Sequence, residues 1–216
     1  MTTRGVAEAA GVQAPAIYRL FGDKDGLLEA IAEYVMATQV AAKSEAARAA
    51  STSDVDPVQD LRDAWMQQIE FGTGNPAVFR LLSDPERASR SPSARAGRRV
   101  LEGRVHRLAA AGLLRVSEAR AADLVQAAGV GAIQTLLAVP PDERDAGLGE
   151  AMLEAVLAHV LIEPTSRTDA GPVAAAVAFR AVAPQLEALT DAEQRLVVEW
   201  TDRVIAGAFR GARGGS

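Results

Sequence analysis

The chain of 216 residues contains no cysteine, which excludes a disulfide scaffold, a thiolate metal site and a cysteine nucleophile. Its formal net charge of −5 argues against a protein that coats nucleic acid without sequence preference, although it is compatible with a small basic surface on an acidic body. Alanine, leucine, arginine and glutamate dominate while aromatic residues make up only 4%, so the composition predicts an all-α fold.

Chemistry that depends on metals, cofactors or membranes has little support in the sequence. Only two histidines occur, His106 and His159, and we expect neither a metal site nor a cofactor. No apolar stretch approaches the roughly 20 residues that a membrane helix needs, and the N-terminus lacks a signal-peptide pattern. We therefore expect a soluble, cytoplasmic protein with no membrane partner.

The N-terminal segment has the pattern of two short helices separated by a glycine turn. The first is predicted over 3–10 and ends at Gly11, because glycine accepts a positive φ, and the second is predicted over 14–21. Asp23 then suits the N-cap of a long third helix. Five apolar side chains are expected to pack between these helices: Val6, Ala10, Val12, Ile17 and Phe21.

The rest of the chain is predicted as a multi-helix body. Pro57 suits the first turn of a helix, and the segment 83–93, rich in Ser, Arg and Pro, is interpreted as an exposed, mobile loop. The segment 163–171 is a linker by composition, and two further helices are predicted over 173–189 and 191–209. We divide the chain into an incomplete head with its connecting helix over 1–42, a ligand-binding and dimerisation domain over 43–210 and a disordered tail over 211–216.

Two short helices at a tight glycine turn, followed by a longer supporting helix, match the helix-turn-helix pattern. The spacing also matches a family signature, an IA-x-x-AGV segment followed by Y-x-x-F-x-x-K-x-x-L, at Val6-Ala7, Ala10-Gly11-Val12, Tyr18, Phe21, Lys24 and Leu27. About the first 36 residues therefore resemble the TetR family of transcriptional regulators. The resemblance implies a homodimer whose N-terminal heads bind a double-stranded DNA operator and whose larger bodies bind a small-molecule effector.

The same resemblance implies roles for individual head residues. Thr3 and Tyr18 would hydrogen-bond to phosphates, and Lys24 would add a charge-assisted phosphate contact, which positions the head without reading sequence. Arg19 is either available to the DNA or pairs with Asp23, four residues further along the chain. Base reading would fall to three residues: Arg4, Gln13 and Ala14. Glutamine can pair with adenine and an alanine methyl can contact thymine, but a solvated Gln13 is the plain alternative.

The sequence departs from the family pattern in the head. Gln13 stands where a helix-capping serine is common, and Leu20 stands where an aromatic residue or histidine often adds a backbone contact, so weaker DNA binding is expected. The family's first helix, which normally precedes the Thr2-Thr3 pair, is absent, and we interpret the sequence as truncated. Loss of that cover would destabilise the head by exposing parts of Val6, Ile17, Leu20 and Leu28.

In the resembled family the middle helices enclose a ligand pocket. Polar or aromatic residues on otherwise apolar faces are the candidates here: Trp65, Gln68, Phe79, His106, Gln126 and Gln134. Each is equally explained as core or surface. Because no dominant buried charge cluster is evident, we expect a small, mainly apolar effector.

The later helices of the family, here about 119–139 and 148–161, form a dimeric four-helix bundle. Small residues would allow close helix approach at Ala127, Ala128, Gly129, Gly131 and Ala132, opposite an apolar stripe of Met152, Val156 and Val160. Ordinary packing within one chain explains these residues equally well. After residue 171 an apolar stripe is predicted to dock onto the same body or to extend the dimer interface: Leu196, Trp200, Val204 and Phe209.

We expect a repressor that its effector releases from a palindromic operator. An enzyme is not expected, because convergent acids, bases or metal ligands, phosphate-binding loops and nucleophile elbows are missing from the sequence. The alternative is a dimeric small-molecule-binding protein that has lost DNA binding.

Overall fold

The computed structural model describes residues 3–52, 55–162 and 171–211, so the linker predicted over 163–171 and the tail predicted over 211–216 lie almost entirely outside the described residues. Within the described ranges the structure is helical apart from turns and one isolated antiparallel bridge, which confirms the all-α prediction. None of the described helices is long and apolar enough to cross a membrane. The α-helices are α1 (Thr3–Ala9), α2 (Ala14–Phe21), α3 (Lys24–Thr52), α4 (Pro57–Gly74), α5 (Pro76–Leu82), α6 (Pro85–Arg90), α7 (Pro92–Ala110), α8 (Glu118–Leu137), α9 (Leu148–Val160), α10 (Gly171–Val182) and α11 (Asp191–Gly211).

The turn between α1 and α2 is closed by backbone hydrogen bonds around Gly11. Gly11 adopts φ +67°, and its amide donates to the Glu8 carbonyl at 3.1 Å, while the Val12 amide donates to the Ala7 carbonyl at 2.9 Å. These two bonds form a Schellman motif, which satisfies the last carbonyls of α1. Glycine is favoured at this position because side chains are strained at positive φ.

The head has a small apolar core, formed by Ala7, Ile17 and Leu27 with Val6, Phe21 and Ile31 packed against them. The predicted contributions of Ala10 and Val12 are wrong, because both residues lie in the turn and are exposed. At the start of α3, the Asp23 carboxylate accepts the Gly26 amide at 2.8 Å and caps the helix as predicted. A Cβ on Gly26 would overlap the carbonyl oxygen of Phe21, so α3 approaches the end of α2 very closely.

α3 is one helix of 29 residues that joins the head to the body, and the proposed domain boundary at residue 42 falls inside it. Its middle is held to the start of α7, because the Glu33 carboxylate accepts the Ser91 hydroxyl at 2.6 Å and the Ser93 amide at 2.8 Å. Burial acts to raise the pKa of Glu33, but these hydrogen bonds and the charge of Arg95 outweigh it and hold that pKa below its usual value.

The segment predicted as a mobile loop over 83–93 is instead ordered. It contains all of α6 and the start of α7, and Ser91 and Ser93 are buried. Asp84 caps α6 by accepting the Glu86 amide at 2.9 Å, and the Ser91 hydroxyl caps α7 by accepting the Ala94 amide at 3.0 Å. A proline follows each cap, at the position where a helix needs no amide donor.

The core of the body lies where α4, α7, α8 and α9 pack together. The buried Trp65 indole on α4 donates to the Gly149 carbonyl of α9 at 2.8 Å. α4 also crosses α8 at close range, since a Cβ on Gly72 would lie 2.6 Å from Cδ1 of the fully buried Ile133. Glycine at this crossing therefore sets the distance between α4 and α8.

The C-terminal helices pack in sequence, α10 on α7 and α11 on α10. The helix predicted over 173–189 is wrong beyond Val182, because Pro184 cannot continue it and the chain forms a 3-10 segment at Ala183–Gln185. α11 buries Thr201 and Ile205. The predicted docking of its apolar stripe onto the same body is wrong, since Leu196, Trp200 and Val204 are exposed, and the Phe209 side chain lies outside the described residues.

Candidate functional site

The exposed side of α2 carries most of the predicted DNA contacts that the structure describes. Ile17 points into the head core, whereas Tyr18 is 50% exposed and Arg19 is exposed beside it. Gln13 precedes α2 with an extended backbone, and its side chain makes no capping hydrogen bond, so it stays available at the entrance to the helix. Lys24 is exposed at the first position of α3.

Three predicted contacts have undescribed side chains. Thr3 and Arg4 are the first two residues of α1, and Ala14 is the first residue of α2. Helix N-termini carry unpaired amides and a partial positive charge, which suits both places to phosphate. The candidate surface therefore comprises the starts of three helices and the outer side of α2.

A cavity of about 290 Å³ lies in the body among α3, α4, α7 and α8, with α5 also contributing to its wall. Four of the six predicted ligand residues line it: Trp65, Gln68, Phe79 and Gln126. Gln134 instead lines a separate surface depression of about 570 Å³, which Phe79 also reaches. The His106 ring is absent from both linings and contacts the Glu118 carboxylate, Nδ1 to Oε2, at 3.2 Å.

The wall of the cavity is mostly apolar, but it includes three cationic side chains that the sequence reasoning missed: Lys43, Arg98 and Arg104. No aspartate or glutamate lines it among the described residues. Arg104 is buried and its Nε donates to Asp60 at 2.9 Å, and Arg107 donates to the same carboxylate oxygen. The expectation that the body contains no buried charge cluster is therefore wrong.

A signal for Arg104 was present in the sequence. Leu101, Arg104, Val105 and Leu108 follow helical spacing, which places the arginine on an apolar face of α7. Asp60 is likewise a charged residue at a buried position, on α4 and one residue before the buried Leu61. Charges at such positions are rare unless they are paired, so the two together predict a buried ion pair.

Lys43 lies on α3 with its Nζ donating to the Gln68 Oε1. Burial, together with the nearby charge of Arg104, lowers the pKa of Lys43 to about 8. No carboxylate forms an ion pair with Lys43 in the described ranges. In the same part of the chain, no group of three or more histidine, aspartate or glutamate side chains could hold a metal ion.

The family model of bacterial regulatory proteins, tetR family, matches residues 1–31. That range spans α1, the turn at Gly11, α2 and the first turns of α3. The chain carries a TetR-family head.

The body of the chain resembles a solved structure as well. A protein provisionally described as a tetR family transcription regulator, from Shewanella sp. PV-4, superposes with a TM-score of 0.50 at 18% identity. The match covers 76% of this chain and 88% of that one, so the likeness extends well beyond the head. At this identity it shows a shared fold. No curated protein matches the chain.

Proposed function

We propose that this protein is a homodimeric, ligand-responsive transcriptional repressor that an effector releases from a palindromic operator. The family match to the head carries the proposal, because the matched residues fold as two short helices at a tight turn that leaves Tyr18 and Arg19 exposed on the second helix. This is the arrangement that places a second helix in the major groove of DNA while the first supports it.

In this proposal the head contacts are of two kinds. The Tyr18 hydroxyl, the Lys24 ammonium and Thr3 bind phosphates and fix the position of the head. Gln13, Ala14 and Arg4 contact base edges, with Arg19 at the edge of the same surface. Because Gln13 is not used as a cap, its amide is available to pair with adenine.

Dimerisation is proposed through α8 and α9, which pack side by side. Of the predicted small residues, Gly129 and Ala132 are buried within the chain, whereas Ala127 is exposed on the outer face of α8. α9 exposes Ala155 and Ala158, whose small side chains would permit close approach of a second copy. The mass of the protein in light scattering, compared with that of Ala155→Arg, tests this interface, and Ala46→Arg on the exposed side of α3 is the control.

Effector release would follow from a shift between two arrangements of the heads. Two heads bind half-sites that lie about 34–36 Å apart on one face of the duplex. An effector in the cavity contacts α3, and α3 also forms part of the head core. An effector that binds one position of α3 more tightly than another therefore changes the spacing between the two heads.

The first test is fluorescence anisotropy with duplexes from the region beside the gene, at fixed salt because phosphate contacts make affinity strongly salt-dependent. Lys24→Ala should weaken binding to all sequences and reduce the salt slope by about 1, and Tyr18→Phe should also weaken binding to all sequences. Gln13→Ala should change the preferred sequence. Arg115→Ala, which removes an exposed cation from the body, should leave affinity unchanged.

Wild-type affinity in all three head variants would contradict the proposed reading surface. Binding of small molecules without binding of any duplex would instead favour the alternative of a dimeric ligand-binding protein.

A further inference from the structure

The charges around the cavity are unequally compensated. Arg98 is paired with Glu102 at 2.9 Å and with Asp123 at 2.7 Å, and Arg104 is paired with Asp60. Lys43, in contrast, meets the neutral amide of Gln68. The chain contains two lysines and 21 arginines among its 23 basic residues, and one of those lysines stands in this wall.

We propose that the cavity binds an apolar molecule carrying one anionic group, and that this group pairs with the Lys43 ammonium. The inference rests on the proposed function in taking the cavity as the effector site, and it narrows the effector from a mainly apolar molecule to an apolar anion. A carboxylate beside Nζ would replace a neutral acceptor with a charge-assisted hydrogen bond.

The remaining wall suits the apolar part of such a ligand. Leu61, Trp65, Phe71 and Phe79 supply aliphatic and aromatic surface around the polar group. A volume of about 290 Å³ lies near the lower limit of the usual range for ligand pockets, so the ligand is small. An anion is favoured over a cation because the Lys43 ammonium meets only a neutral amide and no acidic side chain lines the wall among the described residues.

Binding of an anion at Lys43 should depend on pH, and the charged groups around Lys43 determine how. α7 presents Arg98, Arg104 and Arg107, and α4 presents Asp60, which Arg104 and Arg107 already neutralise; the part of α5 that lines the cavity adds no acid. An anion binds the protonated form of Lys43, so binding raises its pKa and takes up protons near pH 8. Affinity for the anion should therefore fall as the pH rises through about 8.

The experiment uses octanoate, octanol and octylamine as probes of one chain length and three charge states. Trp65 emission reports binding in a Trp200→Phe background, because the chain has two tryptophans and Trp200 is exposed. Octanoate should bind about tenfold to a hundredfold more tightly than octanol at pH 7, and octylamine should bind most weakly. This comparison needs no change in the cavity wall.

Substitution of Lys43 provides the second arm. Lys43→Met should abolish the preference for octanoate over octanol, and Lys43→Arg should retain it. Arg48→Met, which removes an exposed cation of the same helix, should leave the preference unchanged. The proposal is overturned by equal binding of octanoate and octanol, by an undiminished preference in Lys43→Met, or by binding of none of the probes. These titrations contain no DNA. Failure of operator binding, or of release from the operator, would refute the proposed function, and the anisotropy measurement detects it separately.

Discussion

Replacement of Asp60 by asparagine removes the carboxylate that pairs with two arginines of α7, Arg104 and Arg107. The Asp60 and Arg104 side chains are only 10% and 5% exposed, so water cannot replace the lost charge. Removing one partner of a buried ion pair costs about 3–5 kcal/mol, because the other charge stays buried. At roughly 2–4 °C per kcal/mol for a chain of this size, Asp60→Asn should lower the melting temperature by roughly 6–20 °C.

Thermal and urea unfolding followed by circular dichroism measure this loss. Asp63→Asn is the matched control, since Asp63 is exposed on the same helix and accepts a hydrogen bond from Gln59 at 2.8 Å; its effect should stay within about 0.5 kcal/mol. Adding Arg104→Met to Asp60→Asn should restore much of the stability, because the buried arginine charge is gone. Equal losses in the two asparagine variants, or a double variant no more stable than Asp60→Asn, would refute the reasoning.

Three further changes test the packing of the fold. Gly72→Ala should be less stable than Gly103→Ala by about 1–3 kcal/mol. Both variants gain helix propensity, but only the methyl at residue 72 meets a buried side chain. Equal urea midpoints of the two variants would contradict this. Gly26→Ala should speed amide hydrogen exchange in the head and not in the body, because a backbone carbonyl occupies the new methyl position; unchanged exchange in the head would show that the helices can separate without cost. Glu33 has a pKa below its usual 4.5, so its stabilising effect is present above that value and is lost as the pH falls through the lower folded pKa. The free energy of unfolding should therefore decline less steeply below about pH 5 in Glu33→Gln than in the wild type, and parallel declines would count against the contact.

Much of the head was predictable because its signals are local. Gly11 adopts the positive φ that the turn needs, and Asp23 caps the next helix within three residues. The segment over 83–93 also contains local signals for the start of a helix, since Asp84-Pro85 and Ser91-Pro92 each form a cap followed by a proline. Its polar composition nevertheless predicted a loop, because composition carries no information on which serines become buried.

The cavity was less predictable because its electrostatics depend on contacts between distant residues. Aromatic and amide residues such as Trp65 and Gln68 stand out on helical faces and were recognised as candidates. Lys43 was not recognised, since a lysine on a long helix is usually solvated. Only the packing of α3 against α7 brings its ammonium near Arg104, sixty-one residues away in the chain.

The unbroken course of α3 makes it a rigid lever arm between the wall of the cavity and the core of the head. Leu27 belongs to the head core and Lys43 to the cavity wall, and sixteen residues of helix separate them by about 24 Å. Between them stands neither glycine nor proline, so the rod has no hinge that could absorb a rotation. A tilt of about 5° at the cavity therefore moves the head end by about 2 Å, a displacement larger than the range of distances over which a hydrogen bond holds.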